Sequence, residues 1–175
     1  MKKKFAVLYV LTTSLCLLTF AFVLFHALGY RVNRSTSLPG HVYRITAIGE
    51  NESLIIGDRV LIDLSKVSNP VIKRGMERGY VSKAWNQPML KQIGAVPGDS
   101  VALKDGYLFV NGEAAGKMTI ASRDSFGGEL FPWPTPITLP PCRYWLTSEP
   151  ERGFDSRYFG PLDRNAFTHK ARPVF

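Results

Sequence analysis

Between Phe5 and Leu28 the chain carries no Asp, Glu, Lys or Arg, and most of its side chains there are apolar. A helix of that length reaches across a hydrocarbon core of ~30 Å with some tilt. Lys2, Lys3 and Lys4 stand before it. A cleaved secretory signal has the same basic start, but its apolar region runs only ~7–15 residues and closes on an Ala-x-Ala-like site. This run is longer and has no such site, so a retained anchor is the better reading. The expected organisation is a basic cytoplasmic N-terminus (1–4), a transmembrane anchor (5–29) and an external domain (30–175). The three lysines and the terminal amine put the N-terminus in the cytoplasm by the positive-inside rule, with Arg31 and Arg34 reducing the contrast. The protein is therefore expected in the inner membrane, single-pass, with its domain in the periplasm.

Charge narrows the partners. Removing the three lysines from 22 basic residues leaves 19 against 14 acidic ones, a balance of about +5 outside the membrane. That surface suits the anionic headgroups of inner-membrane lipid. No arginine-rich helix or aromatic RNA-binding motif points to nucleic acid. Cys16 lies in the span and Cys142 outside it, so no disulfide joins them, and no Cys-x-x-Cys or His/Cys cluster suggests a metal. No cofactor is implied.

Beyond the span the chain reads as short strands with turn punctuation. "HVYRITAI" alternates, "DRVLIDL" is a compact β-type run, and one short helix is expected after Pro70. "PMLKQIGAV" is a strand ending at Pro97-Gly98-Asp99. Val101–Lys104 and Tyr107–Val110 flank Asp105-Gly106, the turn pair of a two-residue hairpin. "FGGELFPWPTPITLPP" is too rich in Pro and Gly for a core strand and reads as an exposed loop. "CRYWLTS" resumes a strand. The fold class expected is mainly β: one transmembrane helix, then a small β domain with one core.

Two places carry chemistry. Ser35, Thr36 and Ser37 stand just outside the span, before Leu38-Pro39. Such a run is either a solvated linker or the source of a nucleophile, and a serine hydroxyl needs a base to become one. His26 lies in the span, while His41 and His169 lack a nucleophile-elbow motif to pair with. Lys91 is the alternative base. If "PMLKQIGAV" is a strand, Met89, Lys91, Ile93 and Ala95 share a face. A lysine inside an apolar stripe either snorkels at a sheet edge or is a buried amine. Burial lowers its pKa and makes it a usable general base near neutral pH.

"TSLPGHVYRI", "LKQIGAVPGD", "LFVNGE" and "DSRYFGPL" occur in the order found in type I signal peptidases, the membrane-anchored Ser/Lys proteases, and the resemblance covers nearly the whole chain. The short length, "YRVNRSTSLPGHVYR" and the closing "HKARPVF" resemble the conjugative-transfer, TraF-type subgroup, which lacks the second domain of housekeeping leader peptidases. The resemblance implies a signal-peptidase-like β domain, Ser37 as nucleophile and Lys91 as general base. It implies an oxyanion hole from the Ser37 backbone N–H and the Ser35 hydroxyl, with Asp155, Ser156 and Arg157 in support near the base. Three positions depart from it. Gln92 stands where arginine is common, leaving Asp155 without a second basic partner. Gly153 stands where many leader peptidases place a serine that orients the lysine, a part left to Ser156 or to water. Pro39 follows Leu38 directly, without the usual intervening residue.

The activity this implies is processing of an exported, membrane-inserted precursor, a pilin-like subunit of a conjugation system, through an acyl-enzyme on Ser37. About eight residues between Leu28 and Ser37, at ~3.3–3.6 Å each, would hold that serine within ~30 Å of the span. One alternative keeps the acyl-enzyme and lets the precursor's own amine replace water, making a pilin peptide cyclase. Another is a non-catalytic envelope component of a type IV secretion system. A third is a sortase-type transpeptidase built on His41, Cys142 and Arg152, although "LPPCRYW" reads more simply as a turn before a strand.

Overall fold

The computed structural model of the protein describes residues 2–33, 38–79, 81, 88–149 and 153–174, the side chains of residues 2–4 apart. The chain divides into two compact units, one of Met1–Arg34, Gly40–Ile45 and Arg172–Phe175, the other of Ser35–Pro39 and Thr46–Ala171.

The first unit is built on α1 (Lys2–Ala27). Its apolar stretch, Phe5–Ala27, is long enough to cross a bilayer, and none of it is buried within the protein, unlike a core helix. The helix stops at Leu28-Gly29. Gly29 adopts φ +84°, and a Cβ there would lie 2.8 Å from the Ile45 carbonyl oxygen, so only glycine fits. The Ile45 N–H donates to the Gly29 carbonyl (2.9 Å), and Arg31 Nη1 donates to the His26 carbonyl at the helix end (2.9 Å). β1 (Tyr30–Val32) follows at once and pairs antiparallel with β2 (Val42–Ala47), Tyr30 opposite Arg44 and Val32 opposite Val42.

The second unit holds two antiparallel sheets. In one the order is β11–β3–β4–β9–β10, from β3 (Arg59–Ile62), β4 (Met89–Ala95), β9 (Arg143–Thr147), β10 (Leu162–Asp163) and β11 (Phe167–Pro173). The other runs β7–β6–β5–β8, from β5 (Ser100–Lys104), β6 (Tyr107–Val110), β7 (Glu113–Lys117) and β8 (Ile137–Thr138). The fold is mainly β, with an apolar N-terminal helix, as the sequence led us to expect. The β5–β6 hairpin has the expected two-residue loop, with Lys104 opposite Tyr107 and positive φ at both Asp105 (52°) and Gly106 (77°).

Between β3 and β4 lies α2 (Pro70–Arg78). The Asn69 side chain accepts from the Val71 and Ile72 N–H groups, Pro70 occupies the first turn, and Gly79 closes the helix at φ +84°. Ile72 and Gly75 face inward. A second helix, α3 (Ser156–Phe159), takes up "SRYF", where the pattern showed no periodicity; it is a single turn capped by Asp155. The proline-rich segment is ordered differently from a plain loop. Trp133, Thr135, Ile137 and Leu139 turn inward while Pro132, Pro134 and Pro136 face solvent, so the residues lacking an N–H occupy the outward positions. That alternation carries the short edge strand β8.

Alternation on β4 sets the core. Lys91, Ile93 and Ala95 are buried on one face, with Val60, Ile62 and Leu146 on the neighbouring strands. Phe159 and Ile72 complete this cluster; Trp145, Val101, Leu108 and Leu139 form another with Ala95. Each fully buried aliphatic or phenyl side chain contributes roughly 1.5–3 kcal/mol. On the opposite face Gly94 lets β9 come close: a Cβ at Gly94 would lie 2.5 Å from Thr147 Cγ2. Gly94→Ala is expected to lower stability by ~1–3 kcal/mol in urea unfolding. Gly94→Ala with Thr147→Ser removes the clashing methyl and should recover most of the loss. Equal destabilisation in the double variant would put the cause elsewhere.

Candidate functional site

Lys91 sits on β4 between β3 and β9, in the interior of a sheet. Of the two readings of a lysine in an apolar stripe, the edge snorkel is therefore excluded: its residue surface is 2% exposed. β3 places Val60 opposite it, and on β9 the register Ile93–Leu146, Gln92–Thr147 brings Ser148 level with it. Lys91 Nζ donates to Ser148 Oγ at 2.6 Å, both groups being buried. Burial pushes the amine from its ordinary 10.5 down to about 8, against the opposing pull of the Asp155 carboxylate and with a smaller push from the Arg157 guanidinium.

Asp155 and Arg157 are wholly buried and meet side-on. Arg157 Nε donates to Asp155 Oδ1 and Nη2 to Oδ2, each at 2.8 Å. Asp155 Oδ1 also accepts from the Arg157 backbone N–H (3.1 Å), and Oδ2 from the Ser148 N–H (2.9 Å). Both carboxylate oxygens thus take two donors, as a buried charge requires. Arg157 Nη1 donates to the Thr119 carbonyl at 2.8 Å. The pair reaches the lysine through Ser148: Asp155 holds its backbone and the hydroxyl accepts from the amine.

This arrangement corrects two expectations. The oxygen on the lysine belongs to Ser148; Ser156 Oγ instead accepts from the Leu146 N–H at 2.8 Å. Nothing in the local sequence marks Ser148, because its place opposite Lys91 comes from the pairing of strands more than fifty residues apart. Position 92, by the two-residue period of β4, lies on the face away from Lys91, so Gln92 in place of arginine removes no partner from Asp155. Ser37 and Ser35 lie outside the described residues, as does Arg152. His41 is exposed in the first unit; His169 is half-buried on β11 opposite Leu61. Cys142 is exposed at φ 63° in the turn before β9, the simpler of its two readings. Among the described residues no group of three His, Cys, Asp or Glu side chains is placed to hold a metal ion.

A buried amine with a lowered pKa, held by the Ser148 hydroxyl on a rigid sheet, can accept a proton from a neighbouring hydroxyl and return it to a leaving group. The chain is similar to known proteins. The family described as "Signal peptidase, peptidase S26" matches over residues 2–175. A conjugal transfer protein TraF of Agrobacterium tumefaciens (strain 15955) is 31% identical over 151 residues, 84% of this chain and 82% of that one. A plasmid transfer protein TraF of Escherichia coli is 30% identical over 155 residues, 85% and 84% of the two chains. A crystal structure of a signal peptidase I from Enterococcus faecalis V583 aligns at a TM-score of 0.40 and 16% identity, covering 66% of this chain and 94% of that one.

Proposed function

Because the chain belongs to the signal peptidase family, peptidase S26, we propose that it is a membrane-anchored serine endopeptidase that processes exported precursors, with Ser37 as nucleophile and Lys91 as general base. The observation that carries this is the Lys91 amine itself, buried on a central strand, lowered to about 8 and held by Ser148. Neutral Lys91 takes the Ser37 hydroxyl proton as Oγ attacks the scissile carbonyl. The oxyanion forms against the Ser37 N–H and the Ser35 hydroxyl. Collapse breaks the C–N bond, Lys91 hands its proton to the departing amine, and an ester remains on Ser37. Water, deprotonated by Lys91, then attacks the ester; Ser37 Oγ leaves, taking the proton back from Lys91, and the acyl product departs as a carboxylic acid.

The names of the relatives support conjugative transfer as the setting, and the precursor proposed with it is a pilin-like subunit. The long apolar helix supports anchoring in a membrane, and the lysines before it support the inner membrane with the rest of the chain on the periplasmic side. Asp155 and Arg157 support the base by fixing the Ser148 backbone, and Ser156 supports β9 beside it.

The test is the mass of a prepilin co-expressed with the wild type or with Ser37→Ala. Processing by the wild type alone supports the proposal, a linear fragment indicating hydrolysis and a product lighter by one water indicating cyclisation. Equal processing by both forms overturns Ser37 as nucleophile and favours a non-catalytic envelope component.

Ser148→Ala is expected to lower kcat by about 10²-fold, the lower range for a general base that is present but poorly aimed, with KM little changed. Ser148→Thr, which keeps the hydroxyl, should restore most of it. A loss that threonine does not recover would mean that the side chain serves packing only.

A further inference from the structure

The segment that leaves the site after Thr119 is an ordered finger with apolar side chains facing outward. Its two stems are joined by a bridge between Arg123 and Glu129 and by the Leu130 N–H donating to the Ser122 carbonyl at 2.9 Å. A β-turn closes it, the Gly127 N–H donating to the Asp124 carbonyl. Asp124 Oδ1 accepts from the Phe126 and Gly128 N–H groups (2.9 and 2.8 Å), and Oδ2 accepts from Arg78 Nη1 on the last turn of α2 (2.9 Å). Turns of this kind normally carry polar residues. Here Phe126 stands in the turn, 66% exposed, with Phe131 at the foot of one stem, 67% exposed, and Ile120 at the foot of the other, 37% exposed.

Singly exposed apolar residues need no explanation. What distinguishes these is how the finger is fixed. Its feet rest on α3, the turn that presents Asp155 and Arg157: Arg157 Nη1 donates to the Thr119 carbonyl, the Ala121 N–H to Tyr158 Oη (2.9 Å), and the Trp133 N–H to the Arg157 carbonyl (2.7 Å). The Trp133 ring packs against Gly160, so close that a Cβ there would meet it at 2.4 Å. The residues that set Ser148, and through it Lys91, therefore also set the finger, and its position relative to the base is fixed within one unit. A clamped turn has little backbone freedom left to lose when it binds, which lowers the ordering cost of burying its exposed rings.

We propose that Phe126, Phe131 and Ile120 form a docking surface for an apolar segment of the polypeptide whose bond the site cleaves. The inference rests on the peptidase reading for the identity of that polypeptide. Anchoring to the turn that carries Asp155 and Arg157 is what favours the polypeptide over lipid, since a membrane-dipping loop needs no fixed register with a general base.

The experiment uses the full chain carrying Ser37→Ala in lipid nanodiscs, with p-benzoylphenylalanine in place of Phe126. The probe is a synthetic peptide with a run of leucines ahead of an Ala-x-Ala segment; a control peptide has serines in place of the leucines. Irradiation is expected to give an adduct on the leucine run and none with the control. Adducts to lipid alone, equal adducts with both peptides, or none at all would overturn the proposal. In the otherwise unaltered chain, Phe126→Ser with Phe131→Ser should raise the KM for the leucine peptide by about tenfold or more, with kcat and the pH midpoint of activity unchanged. An unchanged KM would also overturn it. Cleavage by the wild type without an adduct would sink the finger alone; an adduct on the leucine run without cleavage would sink the endopeptidase reading alone.

Discussion

Lys91→Met is expected to lower kcat/KM for the precursor by about 10³-fold or more, the scale on which a nucleophile loses its general base, and at the same time to raise stability at pH 7. The two effects share one cause. With its pKa at about 8, the buried amine is mostly protonated at pH 7 in the folded chain, and a buried charge is costly. A methionine of similar shape removes it, for a gain of ~1–3 kcal/mol.

The pH dependence follows. Wild-type kcat/KM should climb about tenfold per pH unit below about 8 and level off above it, because only the neutral amine acts as base. Stability moves in the same direction. Between about 8 and ~10.5 the unfolded chain holds a proton on Lys91 that the folded chain has released, so stability rises with pH through that window, by up to ~3 kcal/mol. As pH falls through the folded value, that advantage is lost. The difference in melting temperature between wild type and Lys91→Met should accordingly shrink from pH 7.5 toward 10.5. A constant difference, or an activity profile with a midpoint near 10, would show that the amine is not held at a lowered pKa.

The second large effect is expected at Asp155. Asp155→Asn leaves the Arg157 guanidinium buried without its counter-charge and should cost ~3–5 kcal/mol in urea unfolding. Asp155→Leu with Arg157→Met removes both charges and should be markedly more stable than the single variant. Activity separates structure from chemistry. The Asp155 carboxylate raises the Lys91 pKa, so its removal should move the midpoint of the pH–activity profile downward in whatever fraction stays folded. A variant as stable as the wild type would contradict the buried pair, and an unmoved midpoint would contradict its coupling to the base.

How far the site could be read in the sequence depends on the range of the interactions involved. Lys91 was visible because a strand writes its faces into the chain at a period of two, and Met89, Ile93 and Ala95 mark the buried one. Whether that strand was central or at an edge was not visible, since order in a sheet is set by distant pairings, and the choice between a buried amine and a snorkelling one waited on it. Ser148 was hidden for the same reason: its neighbours describe only β9, while its contact with Lys91 comes from standing opposite β4. α3 escaped because four residues make one turn, too few for any periodicity. The hairpin at Asp105-Gly106 was plain, its geometry being entirely local. In the proline-rich stretch, composition argued against a strand, and alternation, with the prolines turned outward, overrode it.

Gly29 has a consequence for how the protein would sense its surroundings. Between the last residue of α1 and the first of β1 there are only Leu28 and Gly29, both hydrogen-bonded in place, and Gly29 is pressed against the Ile45 backbone. There is no slack in that joint. A span lodged in a bilayer thinner or thicker than its apolar length must tilt or be drawn in, and a rigid coupling passes that motion to the β1–β2 hairpin as a lever would. Bilayer thickness then becomes a control variable for the first unit: acyl-chain length alone should shift the orientation of the β1–β2 hairpin, and a few glycines inserted after Leu28 should abolish that dependence.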